Sequence, residues 1–399
     1  MSRVHSSPQI AVLGGGIGGL AAAAFLHRAG LAATVYEQAT ALTEVGAGLV
    51  VAPNAARLLR RLGVLDAFRE DAVALTVGWE FRRWEDGTVL SAEDLAVRCE
   101  ELYGEETYTA HRAHLLDVIR SAVSPGCVRL GKRAVSVSLD HGRPRVLFAD
   151  GTVITPEVVI GADGIHSVVR EFTHGASAPA PSGIMAYRAL VPADRAPEFS
   201  RRAAQTLWIG PEHHLVHYPI SGGRLINLVA FAPSGGFTGE SWTATASVEE
   251  MLAEFAGWDR RLVELVEIAG TPGRWALLDR APLERWSRGP ITLLGDAAHP
   301  FFPFFAQGAA QAMEDAAVLA ACLAESPGDP EAALGEYERR RIPRTTRIQT
   351  VSHGRSHVNH LPDGPEQRAR DAGFAAADPL VANGWIYSYT PEDLIAAGP

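Results

Sequence analysis

The 399-residue sequence predicts an α/β protein: a Rossmann-like nucleotide-binding domain, an inserted antiparallel β-sheet substrate domain, and C-terminal helices. Three observations lead there. A strand, a Gly-x-Gly-x-x-Gly turn, a small-residue helix and a second strand follow one another between positions 10 and 38. Short segments of alternating polarity, separated by glycine turns, fill residues 186–231. A further strand, a Gly-Asp turn and an alanine-rich helix occupy residues 291–323.

The first passage is read element by element. The apolar run Ile10, Ala11, Val12, Leu13 enters Gly14-x-Gly16-x-x-Gly19. Gly14 permits the tight turn, Gly16 lets the backbone approach a pyrophosphate, and Gly19 lets helix and strand pack closely. The helix then offers free N–H groups and the positive end of its dipole to phosphate. Glu37 lies 18 residues beyond Gly19, at the end of the second strand, where a carboxylate accepts from ribose hydroxyls. Together these parts mark a dinucleotide site without separating FAD from NAD.

Composition narrows the classes. Lys and Arg total 36 against 46 Asp and Glu, a net charge of −10, which gives no general attraction to nucleic acid or anionic membranes. The three cysteines, Cys99, Cys127 and Cys322, form no CxxC pair and point to a reducing compartment. The N-terminus runs straight into the first strand, leaving no room for a signal peptide, and no apolar run reaches the roughly 18 residues a membrane span needs. A cytoplasmic protein, monomer or homodimer, is expected, with no nucleic-acid or membrane partner.

Along the chain, a glycine-rich stretch at 46–54 precedes a helix stopped by Gly63. Residues 77–90 read as two strands around a Glu-Asp-Gly turn, and 91–104 as irregular and acidic. Arg112 is a cation set just before a helix. Residues 158–170 repeat the strand–turn–helix theme with Gly161, Asp163 and Gly164. The meander at 186–231 is a natural wall for a substrate pocket. Two helices follow it, then the third glycine passage with Gly295, Asp296 and Gly308, a helix from Pro330 to Arg341, and a polar tail.

These three motifs, in this order, resemble those of the FAD-dependent aromatic hydroxylases, the class A flavoprotein monooxygenases, over about residues 8–345. Within that family the likeness is to salicylate hydroxylase, 3-hydroxybenzoate 6-hydroxylase and 6-hydroxynicotinate 3-monooxygenase. It is carried by the His213–Pro219 strand, Tyr187-Arg188 and the Ala306–Ala316 stretch. The resemblance implies non-covalent FAD held by Gly14, Gly16, Gly18, Gly19, Glu37, Gln38, Gly48, Val50, Arg112, Asp163, Asp296, Gly308, Ala309 and Ala310. It also implies NADH or NADPH as reductant and molecular oxygen as co-substrate, with hydroxylation through a flavin C4a-hydroperoxide. His214 and Tyr218 match a pocket-lining pair, and Gln307 matches a loop glutamine near substrate.

Strand alternation places His214, Val216 and Tyr218 on one face. An electron-rich ring is needed, so a base near its hydroxyl is the expected device; His214 is assigned that role and Tyr218 the orienting one. His213 and His217 have no carboxylate or cysteine at ligand spacing, so no metal is expected. Ala306 and Ala310 depart from the family's glycine and asparagine, and Val50 replaces a histidine of the pyridine-acid enzyme, which counts against a pyridine substrate. Phe301, Phe302, Phe304 and Phe305 make the loop apolar and point to a larger or greasier substrate.

The expected division is an FAD-binding domain from 1–76, 105–182 and 280–345, a substrate-binding sheet domain from 77–104 and 183–279, and a C-terminal helical or tail segment from 346–399. Two other readings stand beside hydroxylation: a non-hydroxylating flavin oxidoreductase, and a flavin-binding protein that sequesters an aromatic ligand.

Overall fold

Strand Ile10–Leu13 is the centre of a five-stranded parallel sheet in the computed structural model, which describes residues 9–42, 47–239 and 244–391. Gly46 and the N-terminal residues on which the absence of a leader was read lie outside them. The sheet runs Ile291–Leu293, Val158–Gly161, Ile10–Leu13, Ala33–Tyr36, Val128–Arg129. The three motif strands are therefore adjacent, although some 280 residues separate the first from the last. They are wholly buried and, Thr292 apart, apolar, as a parallel sheet covered on both faces requires. Their C-terminal ends open on one crevice, the usual ligand position in such sheets.

Helix Ile17–Arg28 crosses close to helix Gly308–Glu325, and small residues permit it. A Cβ on Gly18 would stand 2.7 Å from Leu294 Cδ2 and 3.2 Å from Ala312 Cβ. A Cβ on Gly19 would meet the Gly14 carbonyl oxygen at 1.9 Å.

The meander is part of a seven-stranded sheet. Its order is Gly273–Asp279, Ala180–Pro192, Leu225–Pro233, His213–Ile220, Ala204–Gly210, Gly78–Arg83, Val89–Glu93. The hairpin of Gly78–Arg83 and Val89–Glu93 joins by parallel pairing to Ala204–Gly210. One face, with Tyr187, Trp208 and Leu215, packs on helices Val248–Glu254 and Arg260–Glu267. The other carries Val216, Tyr218, Val229 and Phe231 toward the nucleotide domain.

Two expectations are corrected. Residues 91–104 are not irregular: the strand continues to Glu93 and a helix spans Leu95–Tyr103. Leu95 and Cys99, one turn apart, bury against Leu380, Ile386 and Tyr387, partners from the far end of the chain that a local reading does not see. Likewise the helix placed at Pro330 to Arg341 runs on to Asn359 through Pro343, and the C-terminal helices expected of the fold class follow it. An interior proline disfavours a helix by about 3 kcal/mol. Here flanking arginines are pinned: Arg341 donates to Glu314 and Asp315, and Arg344 to Glu314, on the packed helix.

Candidate active site

A cavity of about 820 Å³ lies between the parallel sheet and the inward face of the seven-stranded sheet. That is in the upper part of the usual range for ligand pockets. Its nucleotide end is lined by Gly14, Gly16, Gly18, Glu37, Gln38, Arg112 and Asp163; its middle by Gly48, Val50, Asp296, Gly308 and Ala309. Its far end is lined by Arg188, Leu207, His214, Val216, Tyr218, Val229, Phe231, Phe302 and Phe304. Gly19 and Ala310 are not on its surface; Gly19 packs under the turn and Ala310 is buried in its helix.

Two helix N-termini at the cavity have no side-chain cap among the described residues. Gly16 is the N-cap of helix Ile17–Arg28 and supplies no side-chain cap, and a Cβ placed on it would meet nothing within 4 Å. Helix Gly308–Glu325 also begins uncapped, with the same open space before Gly308. Two uncapped helix N-termini facing one cavity suit a ligand with a pyrophosphate at one end and electronegative ring atoms at the other. Glu37 Oε2 accepts from Gly15 N at 2.6 Å and Oε1 from Ala39 N at 2.7 Å, which fixes the carboxylate and leaves lone pairs for a ribose. Asp163 accepts from Val168 N at 2.8 Å; burial pushes its carboxyl up, against the bonds from Ser167 and that backbone. Arg170 Nη1 donates to the carbonyls of Ala297 and Ala298, each at 3.1 Å, tying the second motif to the third.

Gly48 permits a close approach between strand Gly48–Val51 and the seven-stranded sheet. Its N–H donates to Asn227 Oδ1 at 2.8 Å, and a Cβ there would stand 2.7 Å from Tyr218 Cε2. Tyr218 is buried, and desolvation raises its pKa against the influence of Arg188, so it is a neutral donor. His214 is 2% exposed, stacks on Phe231 with centroids 4.3 Å apart and meets Phe304 edge-on at 5.1 Å. Its Nδ1 lies 2.6 Å from Nε2 of His360. Burial first, then His360 and His213, hold its pKa well below the ordinary histidine value, so it is a neutral proton acceptor.

The other named residues sit elsewhere. Gln307 lines an adjoining recess of about 60 Å³, and its Oε1 accepts from Asn54 Nδ2 at 3.0 Å and Gln311 Nε2 at 3.2 Å. His217 faces away from the cavity, accepting from Trp208 Nε1 at 3.2 Å beside Phe199. His213 pairs with Glu254 at 2.8 Å. Among the described residues no group of three or more His, Cys, Asp or Glu is arranged to hold a metal ion.

Sequence reasoning passed over His360, which follows the long helix 146 residues from its partner, and gave Arg188 and Trp275 no role. No local pattern flags His360. The alternation of Ala186, Arg188 and Leu190 with buried apolar neighbours was the available sign for Arg188.

The family model described as FAD binding domain matches residues 7–352. The chain is 42% identical over 385 residues to a 3-amino-4-hydroxybenzoate 2-monooxygenase of Streptomyces platensis, covering 96% of this chain and 97% of that one. It is 37% identical over 366 residues to a 6-hydroxynicotinate 3-monooxygenase of Bordetella bronchiseptica, covering 90% and 95%. A solved salicylate hydroxylase substrate complex superposes with a TM-score of 0.81 at 27% identity, over 99% of each chain.

Proposed function

The chain belongs to the FAD-dependent aromatic hydroxylases, and on that footing we propose that it hydroxylates an amino- or hydroxy-substituted benzoate with His214 as the base. It is an FAD-dependent, NAD(P)H-consuming aromatic monooxygenase, which leaves the non-hydroxylating and sequestering readings without support. Bound FAD supplies hydride acceptance from the reduced nicotinamide and activation of oxygen. The protein contributes orientation, exclusion of water and the management of one proton.

His214 carries the reading. Its Nδ1 is engaged by His360, no hydrogen bond among the described residues occupies Nε2, and the ring lines the cavity. A phenol ring, with or without an amino substituent, attacks an electrophilic oxygen faster when its hydroxyl proton has been drawn away. A neutral imidazole draws that proton toward Nε2 while its Nδ1 is held by His360. Tyr218, a neutral donor on the same strand face, orients the ring, and Phe231, Phe302, Phe304, Val216 and Val229 keep water out. We assign Gln307 to setting the entry of the helix Gly308–Glu325 beside the flavin, through its bond from Asn54.

The acidic net charge gives no general attraction to nucleic acid. No described helix is long and apolar enough to cross a membrane. The test is a panel of hydroxy- and aminohydroxybenzoates, phenols and hydroxypyridine acids, scored by the mass of the product and by NAD(P)H consumed. A benzoate gaining one oxygen is expected. Oxidation of NAD(P)H with no oxygenated product from any member would defeat the reading.

A further inference from the structure

We infer that Arg188, held over the ring of Trp275, is the anion anchor that receives the carboxylate of the aromatic substrate. The inference rests on the proposed benzoate reading and assigns the group that selects an acid.

Arg188 lies on strand Ala180–Pro192 in register with Val229, which is in register with Val216. It therefore shares the inward face with the His214 strand, two strands away, at the level midway between His214 and Tyr218. Adjacent strands are about 4.8 Å apart, so the two backbones are about 10 Å apart, a gap that a long side chain narrows. Of the side chains this sheet gives the cavity, which include Gln205, Leu207, His214, Val216, Tyr218 and Phe231, Arg188 alone carries a fixed charge.

That charge has no counter-ion among the described residues. No ion pair there includes Arg188, and its Nε is buried without a hydrogen-bond partner. Its guanidinium stands 4.1 Å from the centroid of the Trp275 ring, a contact that holds it in place without giving Nε an acceptor. Burial, with Arg112 nearby, pulls its pKa down to about 10, against the influence of Tyr218. A desolvated guanidinium left unpaired is costly, and a planar carboxylate answers its fork with two parallel hydrogen bonds. The ring then spans from Arg188 toward His214. An acid is held at one end and deprotonated at the other.

The experiment measures binding to the FAD-loaded protein by the change in flavin absorbance. It uses matched pairs: 3-amino-4-hydroxybenzoate, 3-hydroxybenzoate and salicylate, each beside its carboxamide. Product mass is recorded in parallel. Wild type should bind its preferred acid about 10–100-fold tighter than the amide, the usual worth of a charge-assisted bond. Arg188→Met should bring the ratio to within about threefold of unity, and Arg188→Lys should leave an intermediate ratio.

A wild-type protein that prefers no acid to its amide overturns the anchor, as does a ratio unchanged in either variant. The phosphates of the reduced nicotinamide are the other anion within the chemistry. A variant that keeps the acid-to-amide ratio while its KM for NAD(P)H rises assigns the guanidinium there and overturns the proposal. The two readings fail separately. A protein that hydroxylates acids but shows no Arg188-dependent ratio loses the anchor alone. One that shows the ratio and forms no oxygenated product keeps the anchor and loses the proposed reaction.

Discussion

His214 Nδ1 stands 2.6 Å from Nε2 of His360, joining the wall of the cavity to the end of the long C-terminal helix. Two imidazole nitrogens at that distance share one proton, so each ring's tautomer dictates the other's. Both rings are neutral near pH 7, because burial pushes His360 down to about 4 and His214 well below its ordinary value. His214→Ala should keep FAD and fold but lose about 10²–10⁴-fold in hydroxylation rate, the common worth of general acid–base assistance. Flavin reduction should suffer less, and NAD(P)H consumed should outrun product. His360→Ala should show a smaller loss that added imidazole restores. Stopped-flow reduction rates and product per NAD(P)H separate these outcomes; wild-type coupling in His214→Ala places the base elsewhere.

Gly16 and Gly19 are three residues apart and predict opposite phenotypes. A side chain at Gly16 meets open space in the protein, so Gly16→Val should fold and purify colourless, its methyls standing where a pyrophosphate approaches. A Cβ at Gly19 would lie 1.9 Å from the Gly14 carbonyl oxygen, so Gly19→Val should unfold the domain itself. Circular dichroism beside the flavin absorbance checks both. A yellow Gly16→Val protein would refute the assignment of that end to the cofactor.

Ala306 occupies the left-handed region, with φ 51° and ψ 35°, at the turn into helix Gly308–Glu325. A β-carbon there costs about 1–2 kcal/mol, part of which glycine returns as chain entropy. Ala306→Gly should therefore raise the unfolding free energy by up to about 1 kcal/mol. Urea unfolding of the two proteins measures it, and a destabilised variant would contradict the strain.

What was legible in the sequence was what neighbours in the chain decide. The glycine spacing around Gly16, the acid at Glu37 and the alternation of His214, Val216 and Tyr218 are local patterns, and the structure sets them along one cavity. The helix Leu95–Tyr103 was not legible, because its buried side needs Leu380 and Tyr387. Nor was the continuation through Pro343, which depends on Arg341 and Arg344 reaching Glu314. His360 and Arg188 belong to the same class. Their meaning comes from strand register and from a helix end, each fixed by residues far away in sequence.

The pH dependence of stability follows from histidines buried in their neutral form. His217 is pushed down to about 3, by burial first and then by Arg82, and His360 to about 4, by burial first and then by His213. For His217 the geometry agrees: Nε2 accepts the Trp208 N–H, so a proton there would face a donor, and Nδ1 is buried without a partner. In the unfolded chain both rings titrate near 6.5. Below that pH the unfolded chain binds protons that the folded one refuses, so stability is full above about 6.5 and declines as pH falls toward 4. At 1.36 kcal/mol per unit, a depression of about 2.5 units amounts to about 3 kcal/mol for one such ring by pH 4. Asp315, held near 2 by His299 and Arg341 against its burial, loses its contribution only at lower pH and does not mask the effect. Urea unfolding between pH 7 and 4.5 should show the decline, and His217→Gln, which keeps an acceptor for Trp208 but cannot charge, should flatten it. An unchanged slope in that variant would mean that His217 takes up its proton in the folded state.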